Sequence, residues 1–205
     1  MTRMTSSENP TNPPAVGRPP FLVRRRTMFT WLIPLLLMAA VVLLKRGDGG
    51  VPAYAAGIVL VFLGEVVRFW AAGYISKDAV IATGGPYAYV RNPLYFGSLL
   101  LAIGYGLVSG LGWGGVIAMT ALFFLFHLAA IRYEESFLKV KFGQPYLDYL
   151  ARVPRIIPSL SPRTRGDGAY TWAQAINNRE HLSALFAVVF VIALTVCRVL
   201  VLKHG

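Results

Sequence analysis

Apolar residues fall along this chain in long unbroken blocks rather than at alternating positions. "MFTWLIPLLLMAAVVLL" fills 28–44, a second block 51–74, a third from about Leu94 to Val108, a fourth 113–131 and a fifth 183–202. Each is close to the roughly 20 helical residues that cross the hydrocarbon layer of a bilayer, and blocks of this kind leave no polar face for water. The pattern predicts an all-α integral membrane bundle of about five transmembrane helices. "KRGDGG" separates the first two blocks, and "SGLGWGG" turns the third into the fourth to make a helical hairpin. Beyond 131 the stripe Ile131, Phe137, Leu138 and Phe142 carries the fourth helix past the membrane surface through "RYEESFLKVKF".

Composition narrows the class. Hydrophobic residues make up 56% of the 205 and charged residues 14%, too apolar a mix for an ordinary water-soluble domain. The lone cysteine, Cys197, allows no internal disulfide framework and no cysteine-based metal site. A net charge of +11 raises nucleic acid as a partner. The basic residues instead flank apolar blocks, as groups facing anionic lipid headgroups do, so membrane lipids are the expected partner and nucleic acid is not.

Residues 1–20, rich in Pro, Ser, Thr and Asn, read as disordered. The basic stretch 1–27 is then a tail ahead of one membrane domain, 28–205. Arg24, Arg25 and Arg26 before the first block also fit a signal peptide, but the length of the block, the lack of a small-residue cleavage site and the later spans favour an uncleaved anchor. Lys and Arg concentrate in the tail, in 75–92 and in 132–180. The positive-inside bias therefore puts these segments and the N-terminus in the cytoplasm, in a bacterial-type inner membrane. Oligomeric state is not legible.

Two polar islands border the hairpin, "YAYVRNPLY" where the third span enters and "RYEES" where the fourth leaves. Antiparallel packing brings them to one membrane face. Pro93 suits a first helical turn and biases Asn92 toward an extended backbone. The free amides of that helix start, with the fixed charge of Arg91, make a seat for a carboxylate or phosphate. Glu134 and Glu135 supply the opposite sign. An anion seat, carboxylates and aromatic walls together suit a zwitterionic or sulfonium-bearing ligand.

"GGPYAYVRNPLYFG" followed by "YEESFLKVKFGQPYLDYLARVPRIIP" resembles the catalytic half of the isoprenylcysteine carboxyl methyltransferase and phospholipid N-methyltransferase superfamily. The likeness covers 79–158. It implies S-adenosylmethionine as methyl donor, no metal, a cofactor pocket on the cytoplasmic side and a lipophilic acceptor resident in the membrane, either an amino-phospholipid or a carboxylate of prenyl type. By motif position it implies that Tyr87, Asn92, Pro93, Leu94 and Tyr95 line the donor pocket, that the backbone from Ala79 through Val80 and Ile81 to Ala82 meets the adenosine end, and that Glu134 is the donor-binding carboxylate. Asn92 replaces the family's usual His and cannot titrate near neutrality. The arginine that reads the prenylated carboxylate in the family falls at Ala130; Arg132, two residues on, is the substrate-binding candidate but points to another helical face, which weighs against a prenylcysteine substrate.

Other readings stand beside these. Arg91 carries a site role or is a snorkelling, headgroup-binding arginine; the Tyr/Asn/Pro/Tyr array around it favours the site. Tyr89 reads as part of an aromatic belt. Glu134 and Glu135 diverge by about 100° on a helix, so one ligand meets one of them. Glu135 and His127 are the candidate proton acceptors if the acceptor is an amine. Glu65 and Arg68 read first as an internal ion pair and second as substrate contacts. Gly104 and Gly106 read as packing glycines. "LARVPRIIP" reads as an interfacial basic segment, or else a substrate lid. From another class, a non-catalytic scaffold binding anionic phospholipid uses the same basic and aromatic face. Sterol reductases share part of the architecture but show an acidic residue where this chain has Ser98.

Overall fold

The computed structural model describes residues 26–44, 50–75, 80–166 and 168–204. The tail as far as residue 25, most of the first turn and Ala79 lie outside the described residues. All regular structure among the described residues is helical: α1 Arg26–Leu44, α2 Gly50–Ala72, a 3-10 turn Gly85–Ala88, α3 Pro93–Val108, α4 Gly112–Phe142, α5 Gln144–Arg152, α6 Trp172–Asn177 and α7 Glu180–His204.

Among the described residues three helices, α2, α4 and α7, are long and apolar enough to cross a membrane. Of the other two blocks, α1 runs 19 residues and α3 is a shorter apolar helix of 16. At 1.5 Å per residue the 16 residues of α3 reach about 24 Å, short of the roughly 30 Å hydrocarbon layer. The five expected helices are therefore present, and α3 needs a thinned bilayer or help from its flanks to span it. The 31-residue α4 is continuous from Gly112 to Phe142, about 46 Å by the same rise, so it projects beyond the hydrocarbon as the apolar stripe implied.

α3 lies between α2 and α4 and packs most extensively against α2. Glycines permit that approach: a Cβ on Gly57 would meet the Gly104 carbonyl at 2.8 Å, and one on Gly64 would meet the Gly97 carbonyl at 2.8 Å. Gly106 faces the other way, where a Cβ would stand 2.7 Å from Val116 Cα of α4. Gly104 and Gly106 are thus both packing positions, on opposite sides of one helix. Inside, Val41, Leu101, Val108, Phe123, Phe190 and Leu194 form the main core. Outward, Leu43, Phe62, Ile117 and Val188 are exposed, an apolar coat that suits lipid and not water.

The segment after α5 straps the motif loop. Arg91 N donates to the Pro154 carbonyl at 2.8 Å, Ser159 N to that of Tyr89 at 2.9 Å and Arg163 N to that of Ala88 at 2.7 Å. The motif loop and the strap thereby satisfy each other's backbone.

Candidate functional site

A cavity of about 780 Å³ runs from this strapped loop into the bundle. α3 forms one wall, where Asn92, Tyr95 and Ser98 recur every three residues and all line the cavity. α4 forms the facing wall with Phe123, His127, Ala130 and Glu134, again one helical face. Val80, Ile81, Ala82 and Tyr87 enclose one side, and Arg91, Pro93 and Leu94 complete the mouth. Of the motif positions, all of these share the one cavity.

The two polar islands meet directly. Tyr95 Oη donates to Glu134 Oε1 at 2.9 Å. Glu135, only 3% exposed, turns away from the cavity into a basic clasp. Arg155 grips it with Nη2 to Oε2 at 2.8 Å and Nε at 3.1 and 3.2 Å from the two oxygens, and Arg91 Nη1 lies 3.4 Å from Oε1. Asn92 Nδ2 adds bonds to Glu135 Oε1 at 3.3 Å and to the Arg155 carbonyl at 3.0 Å. Both amide hydrogens of Asn92 are spent on this clasp, and its side chain does not cap α3. Asn92 thus holds the loop to the strap rather than offering a hydrogen to a ligand.

These contacts separate the two neighbouring carboxylates. Glu134 lines the cavity. Glu135 is held by two guanidiniums and the Asn92 amide and is absent from the cavity lining. Arg132 is exposed and does not line the cavity. Two residues from both Ala130 and Glu134, it points about 200° away from each on the helix, which removes the geometric basis for a substrate contact. His127 lies with its ring stacked on Phe123, centroids 4.6 Å apart, and Nδ1 is 2.9 Å from the Phe123 carbonyl. A carbonyl only accepts, so Nδ1 carries the hydrogen and Nε2 is the basic nitrogen of the neutral ring.

Sequence reasoning did not single out Arg155, Tyr146 or Tyr149. Arg155 was hidden in a segment that reads as interfacial, and the contact that matters crosses 20 residues. Tyr146 and Tyr149 stand within the motif itself and line the cavity; Tyr149 Oη donates to the Tyr87 carbonyl at 2.9 Å. Burial pushes the Tyr146 phenol up to about 12, with Glu135 adding to the shift. Burial raises Tyr149 and, more strongly, Tyr87 above their usual value as well. These phenols stay protonated at neutral pH and serve as hydrogen-bond donors, not bases.

Fold and site together define an integral membrane helical bundle with a mostly apolar cavity that carries polar groups at its mouth and again deeper in the bundle. Comparison with known proteins narrows the class. The phospholipid methyltransferase family matches residues 52–145. The chain is 34% identical over 176 residues to the cobalt-zinc-cadmium resistance protein CzcN of Cupriavidus metallidurans, covering 81% of this chain and 79% of that protein. It is 30% identical over 105 residues to the protein-S-isoprenylcysteine O-methyltransferase of Schizosaccharomyces pombe, covering 51% of this chain and 44% of that one. It is 38% identical over 88 residues to methanethiol S-methyltransferase 2 of Bradyrhizobium diazoefficiens, covering 40% of this chain and 30% of that one. The match thus spans less than half the length of either of these two methyltransferases. No solved structure matches the chain. The protein belongs to the isoprenylcysteine and phospholipid methyltransferase superfamily of membrane methyltransferases.

Proposed function

We propose that the protein is an S-adenosylmethionine-dependent methyltransferase acting on a lipophilic acceptor drawn from the bilayer. The observation that carries this reading is the pairing of opposite charges across the cavity mouth. Arg91 Nε is buried with no hydrogen-bond partner among the described residues, and the Glu134 carboxylate lines the same cavity. A zwitterionic amino-acid group fits that pair, its carboxylate toward Arg91 and its ammonium toward Glu134. The apolar flank of Val80, Ile81, Leu138 and Phe142 suits a nucleoside ring.

A sulfonium donor held there supplies an electrophilic methyl group. The chain's own residues then have three tasks. Glu134, fixed by Tyr95, orients the donor through its amino group; a carboxylate against the sulfur would stabilise the reactant, whose charge vanishes as the methyl leaves. The apolar walls exclude water and align the two reactants. For an amine acceptor, His127 Nε2 takes the proton that must leave before nitrogen can attack. The donor enters from the cytoplasmic side, following the positive-inside bias of the loops.

The test is to incubate membranes containing the protein with S-adenosylmethionine labelled in its methyl group and extract the lipids. Label in a lipid-soluble product that depends on the protein supports the reading. Label confined to the aqueous phase, with saturable binding of anionic phospholipid, overturns it in favour of a lipid-binding scaffold.

A further inference from the structure

A second polar cluster lies deeper in the same cavity. Glu65 and Arg68 of α2, Ser98 of α3, and Glu180 and Ser183 of α7 all line it. Ser98 follows Tyr95 by three residues, so the cluster starts about 4.5 Å further along α3 than the Tyr95–Glu134 pair. Arg68 Nη1 donates to Ser98 Oγ at 2.6 Å, and Nη2 to Glu180 Oε2 at 2.9 Å. Ser183 Oγ donates to Glu65 Oε1 at 3.2 Å.

Two atoms are left over. Glu65 Oε2 and Arg68 Nε are buried and have no hydrogen-bond partner among the described residues. They face each other at 4.0 Å, beyond hydrogen-bond reach. The charges do not balance either, since two carboxylates meet one guanidinium. Arg68 is committed to Glu180 at 2.9 Å, so the surplus negative charge resides on Glu65, whose side chain is 12% exposed. A surplus carboxylate in apolar surroundings is costly unless a partner is supplied.

An amine answers the two demands that centre on Glu65, a donor for Oε2 and a positive charge. Its N–H donates to Glu65 Oε2, its lone pair in the neutral form accepts from Arg68 Nε–H, and in the charged form it cancels the surplus. A carboxylate could accept from Arg68 Nε–H, but it cannot donate to Glu65 Oε2, and Glu65 and Glu180 repel it. Glu65 also borders a second hollow of about 770 Å³ on the outer face between α2 and α7, walled by Phe62, Phe69, Trp172, Val188 and Ile192. That hollow is almost wholly apolar and suits a hydrocarbon chain.

Resting on the methyltransferase reading above, we propose that Glu65, Arg68 and Glu180 form the acceptor subsite and select a long-chain amine over a carboxylate or an alcohol, with the hydrocarbon chain in the α2–α7 hollow.

The test uses the full chain in zwitterionic nanodiscs with dodecylamine, dodecanol and dodecanoate as probes, each corrected for partitioning into empty nanodiscs. Dodecylamine should bind at least tenfold more tightly than either other probe, and Glu65→Gln should abolish that preference while leaving S-adenosylmethionine affinity within twofold. Equal binding of the three probes to the unsubstituted protein, or a preference that persists in Glu65→Gln, overturns the inference, and the first of these needs no variant. Donor titration in the same samples keeps the two proposals apart. Loss of donor binding with the amine preference intact removes the methyltransferase reading, whereas donor binding without the preference removes the subsite.

Discussion

At the mouth of the cavity Glu135 is gripped by Arg155 through three contacts, approached by Arg91 and bonded by Asn92. One helical turn deeper, Glu65 has one serine and a guanidinium 4.0 Å away that is bonded elsewhere. The residue types are the same, yet one carboxylate is over-satisfied and the other under-satisfied. A buried acid with all its partners present is part of the scaffold, while one with an open position is available to a ligand.

Glutamine at each end puts the contrast to the sharpest test. Glu135→Gln leaves two guanidiniums facing a neutral amide, and breaking a buried pair of this kind costs on the order of 3 kcal/mol, with the half-exposed Arg155 contributing the smaller share. Glu65→Gln removes a surplus charge and should shift stability by no more than about 1 kcal/mol in either direction. Unfolding in detergent, followed by circular dichroism, measures both. Equal losses would erase the distinction between the two ends.

A smaller effect tests how the deep cluster is held. A methyl on Gly97 would stand 2.6 Å from Arg68 Cγ and 2.7 Å from the Gly64 carbonyl, so Gly97→Ala should separate α2 from α3 and cost about 2 kcal/mol. At Gly114 in α4 a methyl would meet nothing within 4 Å, and Gly114→Ala, measured in the same melts, should be neutral or gain up to about 1 kcal/mol from helix propensity.

The smallest effect concerns the mouth. Tyr87, Tyr146 and Tyr149 hold their protons more tightly in the fold than free phenols do. Above about pH 10 the unfolded chain releases these protons while the folded one keeps them, so stability is intact below that pH and falls as pH rises toward the folded value of about 12 for Tyr146. Melting temperature recorded from pH 8 to pH 11 should be flat and then decline. Tyr146→Phe should soften the decline.

The fold was legible because apolar blocks and turn residues report helices directly: the block read at 113–131 with its stripe through Phe142 is one helix, Gly112–Phe142. The mouth was legible in part. Tyr95 and Glu134 sit on two motif segments that a hairpin must bring together, and their bond spans 39 residues. Arg155 was not legible, because nothing local distinguishes it from neighbouring interfacial arginines. The direction of Arg132 was legible: two residues from Ala130 it points to another face of the helix, and it is exposed outside the cavity. The deep cluster was half visible: the three-residue spacing of Glu65 and Arg68 announced a pair, but Glu180 joins across 112 residues and Ser98 across 30, with no periodicity to predict either meeting.

The central claim is that one small molecule is held between Arg91 and Glu134, and calorimetric titration of S-adenosylmethionine into the purified protein, unsubstituted and as Glu134→Gln, tests it most directly. The account predicts a saturable, single-site heat that weakens at least tenfold in the variant while its melting profile stays unchanged. No saturable heat in the unsubstituted protein, or equal affinity in both, would contradict it.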